Sequence, residues 1–229
     1  EILAFDVICF LGPMSGAKQR PKKRITLNGK DSQMRLLTLI LIITIWLPGA
    51  AFAGAAALKN VMIISIDALH PSALGPKTTP TIYRVMTEGT YTLKGRSTDP
   101  PKTLIAHSAT FTGVGPDRGG HASNQWQPGE PTINRPTIFD SAKAKGFSTG
   151  YFYSKEKLGY LVNQAVDIHR WAPEDAIYQA ELVVAKPGRH FVFLHVSGLD
   201  QIGPEYGWLS QEYLEELSYI DGYLTPLIQ

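Results

Sequence analysis

Cysteine is almost absent from this chain. Its 229 residues include one, Cys9, within the first ten positions. A chain with one cysteine forms no intramolecular disulfide and has no thiolate cluster for a metal ion. The segment after residue 53 contains no cysteine, which excludes a thiol nucleophile there.

Charge is also sparse, and several catalytic signatures are missing. Charged residues make up 18% of the chain, and the net charge of +2 does not predict a nucleic-acid partner. The basic run 18–24 (KQRPKKR) lies outside the part of the chain that looks folded. A nuclear or RNA-binding arm is the alternative interpretation of this run. The chain shows no Ser-His-Asp pattern, no G-x-S-x-G turn and no C/S-x-P-x-R sulfatase signature.

Charged residues are absent from a long apolar run near the N-terminus. Met34 and Arg35 precede the apolar run 36–47, and Ala51-Phe52-Ala53 has the A-x-A form of a cleavage site. The segment 34–53 therefore predicts a secretory signal peptide. A buried core helix and an uncleaved anchor are the alternatives.

A signal peptide at this position defines the expected domains. Residues 1–33 become an over-extended leader, and 54–229 become the mature chain, exported to a periplasm or the cell exterior. No membrane span is expected after cleavage.

The mature part alternates between strand and helix patterns, which favours an α/β fold with a mostly parallel sheet flanked by helices. The run VMIISI is typical of a strand buried on both faces. We predict strands over 61–66, 91–93, 148–153 and 190–195. We predict helices from Pro80 to Gly89 with Thr79 as N-cap, over 103–112, 137–145 and 173–185, and after Ser210.

Two acids follow predicted strands. Asp67 comes directly after the first strand, and Asp200 comes a few residues after the last one. Ligands of parallel sheets bind at the carboxyl ends of strands, so both acids are candidates for a site. A helix cap or a solvated loop is the alternative for either residue.

Thr103 lies at the start of a predicted helix. An alcohol is a weak nucleophile and needs a base or a metal ion to activate it. The helix N-terminus would favour an anionic substrate, such as a phosphate or sulfate ester. The alternative is that Thr103 only caps the helix.

In chain order, the residues around Thr103 form a pattern that resembles the alkaline phosphatase superfamily, and within it the type I phosphodiesterase/nucleotide pyrophosphatase group. The resemblance covers residues 59–225 and rests on Asp67, Lys102-Thr103, His107, Thr112-Gly113, Pro116, His121 and Asn124.

The resemblance implies an alkaline phosphatase-like fold and a site with two divalent metal ions, usually zinc. Asp67 and Thr103 would bind one ion, and Asp200 would bind the other. Thr103 would be the nucleophile that forms a phosphothreonine, and the Asn124 amide would hold a phosphoryl oxygen. His107 is expected to be structural and His121 to be a loop residue.

Two departures from the family pattern stand out. Pro204 occupies the position of an expected histidine ligand, and Glu205 and His195 are the conceivable substitutes. The family's later Asp-His pair and final histidine have no counterpart before Gln229, and Asp221 does not match that pair. We therefore expect an N-terminal portion of a longer domain that is inactive by itself.

The expected function is metal-dependent hydrolysis of small phosphodiesters. A phosphomonoesterase or sulfatase-like relative is the alternative within the superfamily. A non-catalytic exported protein that retains the fold is the alternative from another class.

Overall fold

The computed structural model describes residues 7–10 and 60–228. The predicted signal peptide, 34–53, lies outside the described residues, as does the predicted leader except for 7–10.

The sheet is mostly parallel, as predicted. Its strands are β1 (Val7–Phe10), β2 (Asn60–Ile66), β3 (Ser148–Tyr153), β4 (Ile168–Trp171) and β5 (His190–Val196), in the order β1-β2-β5-β3-β4. The last four strands of that order run parallel, and β1 pairs antiparallel with β2 at the edge. The carboxyl ends of β2, β5 and β3 therefore lie side by side.

Six α-helices connect and cover the described strands. They are α1 (Pro80–Glu88), α2 (Thr103–Thr112), α3 (Ile138–Ala144), α4 (Ala176–Val184), α5 (Gly198–Tyr206) and α6 (Gln211–Ile228). Short 3₁₀ turns span Pro71–Ala73, Pro116–Arg118 and Glu156–Leu161. No helix within the described ranges has the length and apolar character needed to cross a bilayer.

Both faces of the sheet are buried, which explains the continuous apolar runs of its strands. Alternate residues of β2 and β5, such as Ile64 and Leu194, face a core shared with α1, α4, α5 and α6. Their neighbours, such as Ile63 and Phe193, face a second core with α2, α3 and the 156–161 turn. The result is a three-layer α/β/α arrangement.

The prediction of a strand at 91–93 is wrong. Tyr91 and Leu93 are 59% and 45% exposed, and the segment is irregular. Its β-favouring side chains have no buried surface to cover, so their propensity is not realised. The sequence patterns also missed β4 and α5, and they placed the start of α4 three residues too early.

The N-terminus of α1 is capped from another helix. Thr79 precedes the helix as predicted, but its hydroxyl interacts with Gly75 rather than with the first turn. Instead, Asp221 of α6 accepts hydrogen bonds from the backbone N–H groups of Thr81 at 2.9 Å and Ile82 at 2.8 Å. Asp221 is 1% exposed, so it is a structural residue that ties α6 to α1.

We expect Asp221→Ala to lower the free energy of unfolding by about 2–4 kcal/mol, because two buried N–H groups lose their acceptor. Urea unfolding followed by circular dichroism measures the change. Glu215→Ala, an exposed change on the same helix, is the control and should stay within about 0.5 kcal/mol. Equal losses for both variants would contradict the capping role.

A second carboxylate ties α3 to β3. Asp167 pairs with the Lys143 ammonium and accepts a hydrogen bond from the Thr149 N–H at 3.0 Å. The pKa of Asp167 lies below its usual value, mainly because its carboxylate accepts a hydrogen bond from Lys143. A carboxyl with a lowered pKa stabilises the folded state above its unfolded pKa and loses that contribution as pH falls through the folded pKa.

We expect Asp167→Asn to be less stable than the wild type at pH 7, and the gap to shrink as pH falls below the usual carboxyl pKa of 3.8. Urea unfolding at pH 7, 5 and 3 measures it. Glu174→Gln, at an exposed acid, should show no such pH-dependent gap. A gap for Asp167→Asn that is constant with pH would contradict the ionic contribution.

Candidate active site

Three neighbouring strand ends bring charged side chains to one point. Asp67 follows β2 directly, Lys155 lies two residues after β3, and Asp200 lies in the first turn of α5, just after β5. Because β2, β5 and β3 are adjacent and parallel, these residues share the carboxyl edge of the sheet. Asp200 is thus helical and not in a solvated loop, which was one of its two alternatives.

Lys155 lies between the two acids. Its ammonium forms ion pairs with Oδ2 of Asp67 and Oδ2 of Asp200. The same Nζ donates to the Thr103 hydroxyl at 3.2 Å. Thr103 Oγ1 in turn donates to Asp67 Oδ2 at 3.0 Å. The predicted residues Asp67, Thr103 and Asp200 therefore meet around one cationic nitrogen.

The charges in this cluster support one another. Burial alone would raise the pKa of Asp67, but the Lys155 ammonium outweighs burial and holds the pKa well below its usual range. Burial alone would lower the pKa of Lys155, whereas Asp67 and Asp200 raise it. Asp67 is therefore an anion and Lys155 a cation at neutral pH.

Thr103 is the first residue of α2, and its hydroxyl is not used as a cap. Lys102 is the N-cap residue and makes no side-chain capping bond. The Thr103 hydroxyl instead turns to Asp67. His107 anchors this end of the helix, since its ring contacts the Thr103 carbonyl at 2.7 Å and Ser65 Oγ of β2 at 2.9 Å.

Polar donors lie beside Thr103 at the helix N-terminus. The Asn124 side-chain oxygen accepts bonds from the Leu104 N–H at 3.0 Å and from Lys157 Nζ at 3.2 Å. Its Nδ2 has no hydrogen-bond partner among the described residues and remains a donor for a ligand. Burial, followed by the charge of Lys155, lowers the pKa of Lys157.

His195 lies behind Asp67 within the sheet. Its side chain is fully buried, and its Nε2 is 3.7 Å from Asp67 Oδ2, too far for a hydrogen bond. Ser154 contacts its Nδ1 at 3.0 Å. Burial lowers the pKa of His195 to about 4, so the ring is neutral. His195 is therefore associated with Asp67, and no contact places it beside Pro204.

Three residues that the sequence analysis did not assign to the site have other positions in the described structure. Pro204 is inside α5, one turn beyond Asp200. His121 is in a loop, where its ring stacks on Tyr160 at a centroid distance of 4.1 Å. Asp221 caps α1.

Three oxygen donors of the cluster surround one point. Two carboxylate oxygens and one hydroxyl oxygen converge at Lys155 Nζ, a set that Mg²⁺ or Zn²⁺ would accept. Over residues 60–228, no group of three His, Cys, Asp or Glu side chains is placed to hold a metal ion. The Lys155 ammonium occupies the point that the oxygens of Asp67, Asp200 and Thr103 surround.

Lys155 was missed by the sequence reasoning. The signal was present, because Lys155 follows the predicted strand 148–153 at the same sheet edge that drew attention to the two acids. A search for carboxylates and imidazoles at strand ends passes over a lysine.

The sequence agrees with a known family. Residues 61–229 match the profile described as type I phosphodiesterase / nucleotide pyrophosphatase. The chain belongs to this type I phosphodiesterase family. No curated protein sequence matches it significantly.

The fold agrees with this membership. Murine ectonucleotide pyrophosphatase/phosphodiesterase 5 superposes with a TM-score of 0.53 at 15% identity, over 72% of this chain and 50% of that chain. The zinc complex of the C-terminal periplasmic domain of EptC from Escherichia coli has a TM-score of 0.47 at 12% identity, over 75% of this chain and 58% of that chain. The chain thus spans about half the length of the first of these structures.

The loop that carries the first acid of this family member is held by α6. Ala68, directly after Asp67, has a φ of 62°, a conformation that costs energy for a residue with a side chain. The Tyr213 hydroxyl donates to the Ala68 carbonyl at 2.7 Å and accepts from the His70 N–H at 2.8 Å. This buried hydroxyl therefore stabilises the turn after Asp67.

We expect Tyr213→Phe to lower the free energy of unfolding by about 1–3 kcal/mol, because two buried backbone groups lose their partner. The His70 amide should also exchange its hydrogen faster. Urea unfolding and hydrogen exchange measure the two effects. Tyr178→Phe, at a tyrosine that is 56% exposed, is the control. An unchanged His70 exchange rate would contradict the assignment.

Proposed function

We propose that this chain is part of an exported phosphoester hydrolase that cleaves small phosphodiesters with Thr103 as the nucleophile. Residues 34–53 would be its signal peptide, and 54–229 would belong to its catalytic domain. The proposal is supported by family membership over residues 61–229. The observation that carries it is the Thr103 hydroxyl between an anion and a cation at a helix N-terminus.

The contacts of Thr103 suit attack on phosphorus. Asp67 Oδ2 accepts a hydrogen bond from Thr103 Oγ1 at 3.0 Å, and this bond orients the lone pairs of the hydroxyl oxygen. With its lowered pKa, Asp67 is a weak base. Activation of the alcohol therefore depends on positive charge next to Oγ1, which favours the alkoxide. The new P–O bond would form as the P–O bond to the leaving group breaks, and the proton of Thr103 would pass through solvent to the departing oxygen. Water would then attack phosphorus, break the bond to Thr103 and restore its hydroxyl.

The phosphate would be bound beside the nucleophile. The free N–H groups of the first turn of α2 and the helix dipole favour an anion at that position. Asn124 Nδ2 would donate to a phosphoryl oxygen, while its oxygen stays bound to Leu104 and Lys157. The Lys157 ammonium adds positive charge at the same place.

The family resemblance adds divalent metal ions to this proposal, with zinc as the expected metal and two ions as the expected number. Asp67 and Thr103 would be ligands of one ion, and Asp200 of the other. Bound ions would neutralise phosphoryl charge and favour the Thr103 alkoxide.

A non-catalytic exported protein with the same fold is the second candidate. Pro204 favours it, since this residue stands inside α5 where the family pattern has a histidine ligand. Phosphate recognition by Asn124, Lys157 and the α2 terminus would remain in such a protein, but turnover would not.

In the full-length protein that contains this chain, we expect Thr103→Ala to reduce hydrolysis of bis-p-nitrophenyl phosphate, assayed with added zinc, by at least ~10³-fold, because the nucleophile is removed. Thr110→Ala on the same helix is the control. The Thr110 hydroxyl bonds to the Ala106 carbonyl at 3.0 Å, away from the cluster, so this variant should stay within about threefold of the wild type.

Comparable activity in Thr103→Ala and the wild type would overturn the nucleophile assignment. No hydrolysis by the wild type at any zinc concentration, together with binding of inorganic phosphate, would favour the non-catalytic candidate.

A further inference from the structure

We propose that the Lys155 ammonium is a built-in cation of this site and excludes a divalent metal ion from the position between Asp67, Asp200 and Thr103. The inference concerns which cation the acids bind. At this position the ammonium takes the place of the ions that the family resemblance implies, so in the proposed hydrolysis Lys155 supplies the positive charge beside the Thr103 hydroxyl.

The first support is that the ammonium and a metal ion would need the same space. Lys155 Nζ contacts both carboxylates and lies 3.2 Å from the Thr103 hydroxyl. A zinc ion bound by the same oxygens would lie about 2.0–2.2 Å from each of them. The two cations would then be nearly superimposed, so steric overlap and charge repulsion make their occupancy mutually exclusive.

The second support is burial. The side chains of Lys155 and Asp67 are 17% and 6% exposed, and Asp200 is 40% exposed. A buried carboxylate requires a partner charge. Lys155 meets that need for Asp67 within the polypeptide, and it also reduces the repulsion between Asp67 and Asp200.

The third support is that the backbone of Lys155 is well anchored. Ser154 Oγ donates to the His195 carbonyl at 3.2 Å and contacts the His195 ring at 3.0 Å. After Lys155, the Glu156–Leu161 turn packs closely on Trp126, and a Cβ on Gly159 would lie 2.6 Å from that ring. The lysine is therefore held at the end of β3 and directed into the cluster.

The neighbouring lysine has a different role, which provides a matched control. Lys157 is on the same turn, but its ammonium contacts the Asn124 oxygen at 3.2 Å and makes no ion pair with either acid. Removing Lys157 takes away one positive charge near the site, but the Lys155 ammonium still occupies the position between Asp67 and Asp200.

The test is zinc binding by the wild type, Lys155→Ala and Lys157→Ala, measured by isothermal titration calorimetry and by zinc content after equilibrium dialysis. We expect Lys155→Ala to gain one zinc site at least tenfold tighter than any site of the wild type. Lys157→Ala should bind zinc as the wild type does. Zinc should also raise the melting temperature of Lys155→Ala more than that of the wild type.

Two further variants keep the outcome decisive. Lys155→Met retains the length of the side chain without its charge, and it replaces Lys155→Ala if the smaller residue prevents folding. Adding Asp67→Asn to either variant should abolish the gained site, because the proposed ligand is removed.

Equal zinc affinity of the wild type and the Lys155 variants would overturn the proposal. A gained site that survives Asp67→Asn would overturn it as well, since that zinc would be bound elsewhere. Neither readout depends on catalysis, so loss of activity in Thr103→Ala and gain of zinc in Lys155→Ala are separate results.

Discussion

Two carboxylates that lie at adjacent strand ends repel each other, and the Lys155 ammonium makes their proximity possible. Asp67 and Asp200 both pair with it, and Thr103 completes the group through hydrogen bonds to Asp67 and Lys155. These contacts join the ends of β2, β3 and β5 to the start of α2. The site geometry therefore depends on a partly buried charge balance, in which removing Lys155 leaves both acids without their partner charge.

Helix α6 supports this arrangement from one face of the sheet. Its Tyr213 holds the turn after Asp67, and its Asp221 caps α1. On the other face, His107 fixes the start of α2 to β2 through Ser65. Hydrogen bonds on both faces of the sheet thus hold the turn after Asp67 and the start of α2 in place.

The identity of the cation links the structure to the chemistry. A positive charge next to the Thr103 hydroxyl favours its ionised form whether the charge belongs to an ammonium or to a metal ion. A divalent ion offers more charge and open coordination positions for a phosphoryl oxygen, whereas an ammonium offers hydrogen bonds and permanent occupancy. Which of these two cations lies beside Thr103 decides whether hydrolysis by this family member would depend on a metal ion.

The sequence by itself determined most of the central strands and helices, and the sheet edge at which Asp67 and Asp200 lie. Apolar runs bounded by turn residues identified β2, β3 and β5, because strands buried on both faces leave a strong local pattern. The bounds of α2 also followed from the pattern of residues 103–112 and Gly113. The strand-end rule then drew attention to Asp67 and Asp200, and the helix start drew attention to Thr103.

Only the tertiary structure decided which side chains meet. Thr79 looked like the cap of α1, yet Asp221, 140 residues from Thr81 along the chain, provides the acceptor. Lys155 follows a predicted strand, but its pairing with both acids comes from the adjacency of β3, β5 and β2. Local patterns reflect the conformation of the backbone, whereas charge pairing depends on distances that exist only after the strands have been ordered in the sheet.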